Sequence, residues 1–391
     1  MPKRLVYLDN AATTPVRPEV LEAMLPYLGR DVFGNPSSAH RFGRAARAGV
    51  EEAKRAIAEA LGAEPGQVIF TSGGTEADNL AVIGAALAAR DRGGPFRVAV
   101  SAIEHKAVLA AAHAVVHLGG EEIILQVDGA GAVSAEALDE ALGRGVAIVC
   151  VMWVNNEVGA VQAVARLAAR CREAGVPFHV DAVQAFGKIP VSLRDVPCTL
   201  LTLSGHKIGA PKGIGALIVR DRHVVEAIIH GGGQQFGIRP GTENVPGIVA
   251  LGKAVELAAR EQAEFAARVA ALRDELERRL VAVVPDAVIN AARGPRAPHV
   301  SNVSIPGTDS EALLMHLDLA GIACSSGSAC STGAVEPSHV LTAMGVPREL
   351  GVAALRFSFG KDNTMEDVEA VAAAFPKIVE KVRALSAVLH R

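Results

Sequence analysis

From about residue 19 to residue 250 the chain alternates two hydrophobic periods. Short, nearly continuous apolar runs stand at 68–70, 96–100, 146–151, 176–180 and 199–203, and amphipathic stretches of helical period at 76–90, 106–117 and 164–174 lie between them. Runs of that length and continuity read as strands buried on both faces, and the amphipathic stretches as the helices that cover them. The pattern therefore predicts an α/β fold with a mostly parallel sheet. Each run finishes on polar or glycine residues: Thr71-Ser72-Gly73-Gly74-Thr75, Ser101, residues 153–157, Asp181, and Ser204-Gly205-His206-Lys207. Open sheets of this class bind ligands beyond the carboxyl ends of their strands, so these clusters are the expected rim of a site.

After Pro246 the texture changes to a long charged helical stretch, 248–281, which reads as a connector. An apolar run at 300–305, a helix at 310–320, a Ser/Gly-rich stretch at 324–333 and a second run at 352–359 then make a smaller α/β unit. A length of 391 residues fits two domains at about 100–200 residues each.

Composition narrows the function classes. With 50% hydrophobic and 21% charged residues the chain is an ordinary globular protein, not a disordered scaffold. Its formal net charge of −3 supplies no field to gather nucleic acid or an anionic membrane surface. Five sparse cysteines in so long a chain are no disulfide framework and point to a reducing compartment. No apolar segment follows the basic N-terminal residues, and no window approaches the roughly 18 apolar residues of a membrane span. A cytoplasmic protein whose partner is a small molecule or another protein is the expectation.

Lysine is scarce, 10 residues against 29 arginines, so each lysine position is informative. Asp181 and Lys207 end successive runs, with Gln184 three residues after Asp181, and neighbouring strand ends meet in space. A carboxylate, a Ser-Gly-His turn suited to phosphate and a lysine at one rim suit pyridoxal 5′-phosphate. Its enzymes use a lysine Schiff base and a carboxylate against the pyridinium nitrogen. The turn 71–76 could also seat a phosphate at a helix start, although it carries neither the dinucleotide-binding nor the P-loop pattern. Cys330, in a loop of small residues, is the candidate nucleophilic thiol, whereas Cys150, Cys171 and Cys198 sit in apolar runs and read as buried. Cys324 is either buried or an oxidation partner for Cys330. No metal site is expected: His113 and His117 are four apart without the glutamate of a zinc helix motif, and no C-x-x-C spacing occurs.

Taken in order, these motifs resemble the cysteine desulfurase family, pyridoxal-phosphate enzymes of fold type I in the class V aminotransferase group. The resemblance spans nearly the whole chain, through residues 7–14, Gly34-Asn35-Pro36-Ser37-Ser38, residues 71–77, Glu104-His105-Lys106, residues 155–159, residues 179–184, Ser204 to Lys207, Gly241-Thr242 and Ser325 to Cys330. It implies a large domain, 16–260, with a seven-stranded sheet. A small domain of 1–15 and 261–391 would carry the cysteine loop, about 324–333. By the same resemblance Lys207 forms the Schiff base and moves the substrate α-proton, Asp181 pairs with the ring nitrogen and Gln184 contacts the ring hydroxyl oxygen. His105 stacks on the ring and, as a catalytic residue, helps in proton transfer; Gly74, Thr75, Ser204 and His206 hold the phosphate; and Thr242 reaches the phosphate of a neighbouring subunit, which implies a homodimer. Asn156 contacts cofactor and substrate, and Arg356 and Asn35 contact the substrate carboxylate. The implied reaction takes sulfur from L-cysteine to Cys330 as a persulfide, leaves L-alanine, and hands sulfur to an acceptor or iron–sulfur scaffold protein. A true aminotransferase needs no such thiol, so Cys330 separates the two readings.

Overall fold

Residues 5–327 and 336–389 are described by the computed structural model, with side chains through residue 385. After an N-terminal strand β1 (Val6–Tyr7), the predicted runs form one sheet. Its strands are β2 (Val68–Thr71), β3 (Arg97–Ser101), β4 (Glu121–Leu125), β5 (Ile148–Cys150), β6 (Phe178–Asp181), β7 (Leu200–Ser204) and β8 (Gly215–Val219), in the order β2-β8-β7-β6-β5-β3-β4. The strands β4, β3, β5, β6 and β7 run parallel, and β8 is antiparallel to both of its neighbours. The pattern had not signalled β4 or β8. The connection 205–214 explains the reversal: a parallel crossover needs about a dozen residues or more, so the chain returns antiparallel.

Strand alternation sorts the side chains into two cores. Val68, Phe70, Ala99 and Val149 face one layer of helices, while Ile69, Val98, Val100, Ile148 and Cys150 face the other. The first layer holds the helix Arg41–Leu61 and the start of the helix Val245–Val283; the second holds Gly74–Asp91 and Lys106–His117.

The connector is one helix of 39 residues, Val245–Val283. Its residues through Leu257 pack into the large core, and from Val269 onward they pack into a separate cluster. That second cluster lies on an antiparallel sheet of β9 (Val288–Ile289), β10 (Val300–Ser304) and β12 (Ala354–Ser358), covered by the helices Ser310–Leu319 and Met365–Leu389. A last short strand, β11 (Ile322–Ala323), pairs in parallel with β1 and draws Val6 and Leu8 into the second core. Residues 9–14 then cross to the carboxyl end of the large sheet, where the Thr14 amide donates to the His206 carbonyl at 2.9 Å. This strap joins the two bodies above the site. Among the described residues no helix is long and apolar enough to cross a membrane.

Gly252 marks a close helix crossing in the large core: a Cβ there would stand 2.8 Å from Cα and Cβ of Ala53. Gly252→Ala is expected to destabilise the protein by about 1–3 kcal/mol, because the helices must separate. Gly143→Ala, at an exposed helix end with open space around it, is expected to be neutral or stabilising by up to about 1 kcal/mol. Paired denaturant titrations check both; equal effects would contradict the crossing geometry.

Candidate active site

The polar ends of the parallel strands meet at one cavity of about 340 Å³. Thr71 ends β2 and the chain passes through Ser72 and Gly73 into the helix Gly74–Asp91. Asp181 ends β6, and Ser204 ends β7 and enters the turn Gly205–Lys207. Asp181 and Thr202 are paired in register, which sets the carboxylate beside the Lys207 turn. Gly74, Thr75, His105, Asn156, Asp181, Gln184, Ser204, His206, Lys207 and Arg356 all line this cavity. Two predicted residues do not. Asn35 is exposed and its side-chain oxygen accepts from the Ser37 amide at 2.9 Å, and Thr242 lines a second cavity with Ser72 and Arg239. Cys330 lies outside the described residues.

Lys207 is held by backbone. Its Nζ donates to the carbonyls of Ala11 at 2.7 Å and Ala12 at 2.6 Å, both on the strap. Burial, helped by the charge of Arg356 and opposed by Asp181 and Asp9, brings its pKa down to about 8. The amine is therefore far closer to its reactive, unprotonated form at neutral pH than an ordinary lysine.

Three carboxyl groups, Asp78, Glu104 and Asp181, are buried near one another under the cavity. Burial raises all three, Glu104 to about 8 and Asp181 to about 6. Asp181 accepts the Val183 amide at 2.9 Å and, unlike the other two, faces Lys207; both favour its charge. A low-dielectric cluster cannot ionise every member, and Asp181 is the one that holds the negative charge. Glu104 instead accepts from Ser101 Oγ and the Met152 amide, each at 2.7 Å. Below them His179 is pushed down to about 3 by burial and stays neutral, 2.9 Å from Thr202 Oγ1.

Two further histidines line the cavity, both held neutral. His105 caps the helix Lys106–His117, its Nδ1 accepting from the Ala107 amide at 3.1 Å, so its proton sits on Nε2. Burial and then the charge of Lys207 lower its pKa. His206 is lowered to about 4 by the same two causes and packs 3.1 Å from Thr13 Oγ1.

Arg356, on β12, reaches across from the second body. Its Nη2 donates to Asp9 at 2.7 Å and its Nη1 to the Asn156 carbonyl at 3.0 Å, while its Nε is buried with no partner. A buried, unpaired guanidinium N–H in a cavity wall is a waiting donor for an anionic group. Sequence motifs included Asp9 without giving it this task. Asp9, the Ala11 and Ala12 carbonyls, Glu104, Asp78 and His299 are the site groups that residue reading missed. The strap carbonyls leave no side-chain signal, and Asp9 stands 347 positions from its partner.

The residues fit pyridoxal phosphate. A lysine of lowered pKa, a charged buried carboxylate, and a helix start beginning with Gly74 face one cavity whose volume suits a small ligand. At Gly74 a Cβ would stand 3.2 Å from Val183 and 3.4 Å from Ser204, narrowing the space beside the helix start.

Known proteins agree with this geometry. The aminotransferase class-V family profile matches residues 6–371. The chain is 43% identical over 384 residues to a cysteine desulfurase IscS of Dictyoglomus turgidum, covering 98% of this chain and 97% of that one. It is also 43% identical to a cysteine desulfurase IscS of Methanosarcina thermophila, covering 98% and 94%. Among solved structures it is similar to a NifS-like protein with TM-score 0.87 and 34% identity, covering 98% and 99%. A NifS-like protein from Rickettsia africae gives 0.86 and 33%, covering 96% and 100%. The chain belongs to the aminotransferase class-V family and, within it, to the cysteine desulfurases, which depend on pyridoxal phosphate.

The lowered basicity of Lys207 is open to direct measurement. At pH 8 about half of its amine is unprotonated, against roughly one part in three hundred for an ordinary lysine. Brief exposure of the cofactor-free protein to a small acylating reagent, followed by peptide mass analysis, is expected to label Lys207 well ahead of exposed Lys361, with the rate falling about tenfold per pH unit below 8. Equal labelling of the two would contradict the electrostatics above.

Proposed function

We propose that this cysteine desulfurase converts L-cysteine to L-alanine, takes the sulfur onto Cys330 as a persulfide, and passes it to an acceptor protein for iron–sulfur cluster assembly or tRNA thiolation. The observation that carries the reading is Lys207, an amine of lowered pKa, set beside the buried charge of Asp181 in one cavity. Pyridoxal 5′-phosphate, when bound, supplies an aldehyde and an electron-accepting ring. Lys207 would hold the aldehyde, Asp181 the ring nitrogen and Gln184 the ring hydroxyl oxygen. His105 would stack on the ring, Asn156 would contact the cofactor beside it, and Gly74, Thr75, Ser204 and His206 would hold the phosphate.

Arg356 takes the substrate carboxylate on its unpaired Nε side, with Asn156 beside it and Asn35 as a further contact. The ion pair with Asp9 keeps the guanidinium in place before substrate arrives. The Lys207 amine, freed when the substrate amine takes its place on the aldehyde, removes the proton from the substrate α-carbon. The Cys330 thiolate then attacks the substrate sulfur: a sulfur–sulfur bond forms, the β-carbon–sulfur bond breaks, the β-carbon takes a proton in place of sulfur, and the α-carbon regains a proton, leaving L-alanine.

Thiol electrostatics support Cys330 as the acceptor. Among the described residues every cysteine is held as a thiol by burial: Cys150 well above its usual range, and Cys171, Cys198 and Cys324 at about 12. Cys324, half-buried against the second core, is a poor nucleophile and a poor redox partner at neutral pH.

The chain acts as a homodimer in the cytoplasm. Leu21, Leu25, Leu28, Phe33 and Phe42 are exposed apolar side chains that a second copy would cover. Thr242 and Asn35, outside their own chain's cavity, are then free to serve the neighbour's. The separate cores on either side of residues 257–269 support a division into domains near residue 260.

With L-cysteine and a thiol reductant, the cofactor-loaded protein is expected to release sulfide and alanine in equal amounts over many turnovers. Cys330→Ala is expected to abolish both, and sulfide release surviving it would refute the assignment. Arg356→Lys is expected to raise KM about ten- to a hundredfold through loss of the charged hydrogen bond.

A further inference from the structure

We propose that His299 is a positioning residue that locks the side-chain amide of Gln184 with one N–H left to face the cavity. This rests on the functional reading above, in which the acceptor for that N–H is the ring hydroxyl oxygen of pyridoxal phosphate. The argument is one of donors and acceptors. Gln184 Nε2 donates to the Ala11 carbonyl at 2.8 Å, and a carbonyl can only accept, so the nitrogen end of the amide is fixed there. The oxygen end then lies 3.1 Å from His299 Nε2, which must carry the ring proton.

His299 is 1% exposed and its Nδ1 is buried without a partner. Burial, with the charges of Lys188, Arg273 and Arg356, holds the ring neutral. A neutral ring with its proton on Nε2 is a donor toward Gln184 and offers it no competing acceptor. One amide N–H goes to Ala11 and the other is left for the cavity that Gln184 lines.

The lock joins three separate parts of the chain. His299 precedes β10 and its carbonyl accepts from the Phe359 amide at 2.8 Å; Gln184 follows β6; and Ala11 lies on the strap. The Ala11 carbonyl also accepts from Lys207 Nζ. One backbone oxygen thus registers both the amine and the amide. Without His299 the Gln184 oxygen is buried and unpaired, and the amide gains by leaving its present orientation.

The test is the dissociation constant for pyridoxal phosphate, read by absorbance titration of the full chain. H299L is expected to weaken binding about ten- to a hundredfold, while H299Q, which can carry an amide N–H to the same oxygen, stays within about threefold of the unmodified protein. In a Q184A background H299L is expected to have no further effect, because His299 acts through Gln184. An equal loss from H299L in both backgrounds, or H299Q as weak as H299L, would overturn the proposal and leave His299 a packing residue. Should H299L not fold, H299N replaces it, since its shorter amide cannot reach Gln184; parity of H299N with H299Q overturns the proposal in the same way. Failure of the unmodified chain to bind pyridoxal phosphate would overturn the functional reading and this inference together, an outcome distinct from binding with additive effects.

Discussion

The site depends on two backbone carbonyls. Ala11 and Ala12 hold the Lys207 amine by hydrogen bonds that favour a proton without supplying a countercharge. A carboxylate in their place would stabilise the ammonium form by a salt bridge and keep the amine unreactive at neutral pH. Carbonyls orient the nitrogen while burial still lowers its pKa. The strap must therefore lie in register over the sheet, and several otherwise unconnected features serve that end. The β1–β11 pairing anchors one end in the second core, Thr14 fastens the other to the His206 carbonyl, and Asp9 pairs with Arg356 between them. Neither body alone completes the cavity wall.

Burial acts on acids and bases in opposite directions, and the cavity uses both. The same desolvation that makes Lys207 a better base makes Asp78 and Glu104 reluctant acids, so the negative charge collects on Asp181. Asp181 has the Val183 amide and the facing lysine to sustain it. His105, His206, His179 and His299 are all held neutral, so they shape the site as directional donors and acceptors. Electrostatic order here follows from depth and from which carboxyl group faces Lys207.

Much of this was legible in the sequence where polar residues interrupt apolar runs. Asp181 and Ser204 to Lys207 stand out because they end strands that are otherwise mostly apolar, and the sheet rule places such ends at a ligand. The parallel core strands were readable for the same reason. β8 was not, because its direction is set by the length of the connection before it, and β4 begins with two glutamates at a sheet edge. The site groups that went unread are those whose role exists only after folding. Backbone carbonyls carry no sequence signature, and His299 meets Gln184 across 115 positions. Motif resemblance reached Arg356 without its tether to Asp9.

The central claim is that Lys207 holds the cofactor because, among the described residues, it is the lysine that joins lowered basicity with a place in the cavity. Lys188 is the sharp competitor: it is also buried, also brought down to about 8, and its Nζ lies 3.2 Å from the Lys207 carbonyl. Borohydride reduction of the protein loaded with pyridoxal phosphate, followed by peptide mass analysis, separates the two. The account predicts a single pyridoxyl group on the peptide bearing Lys207. A pyridoxyl group on Lys188, or on no lysine of the cavity, would contradict it.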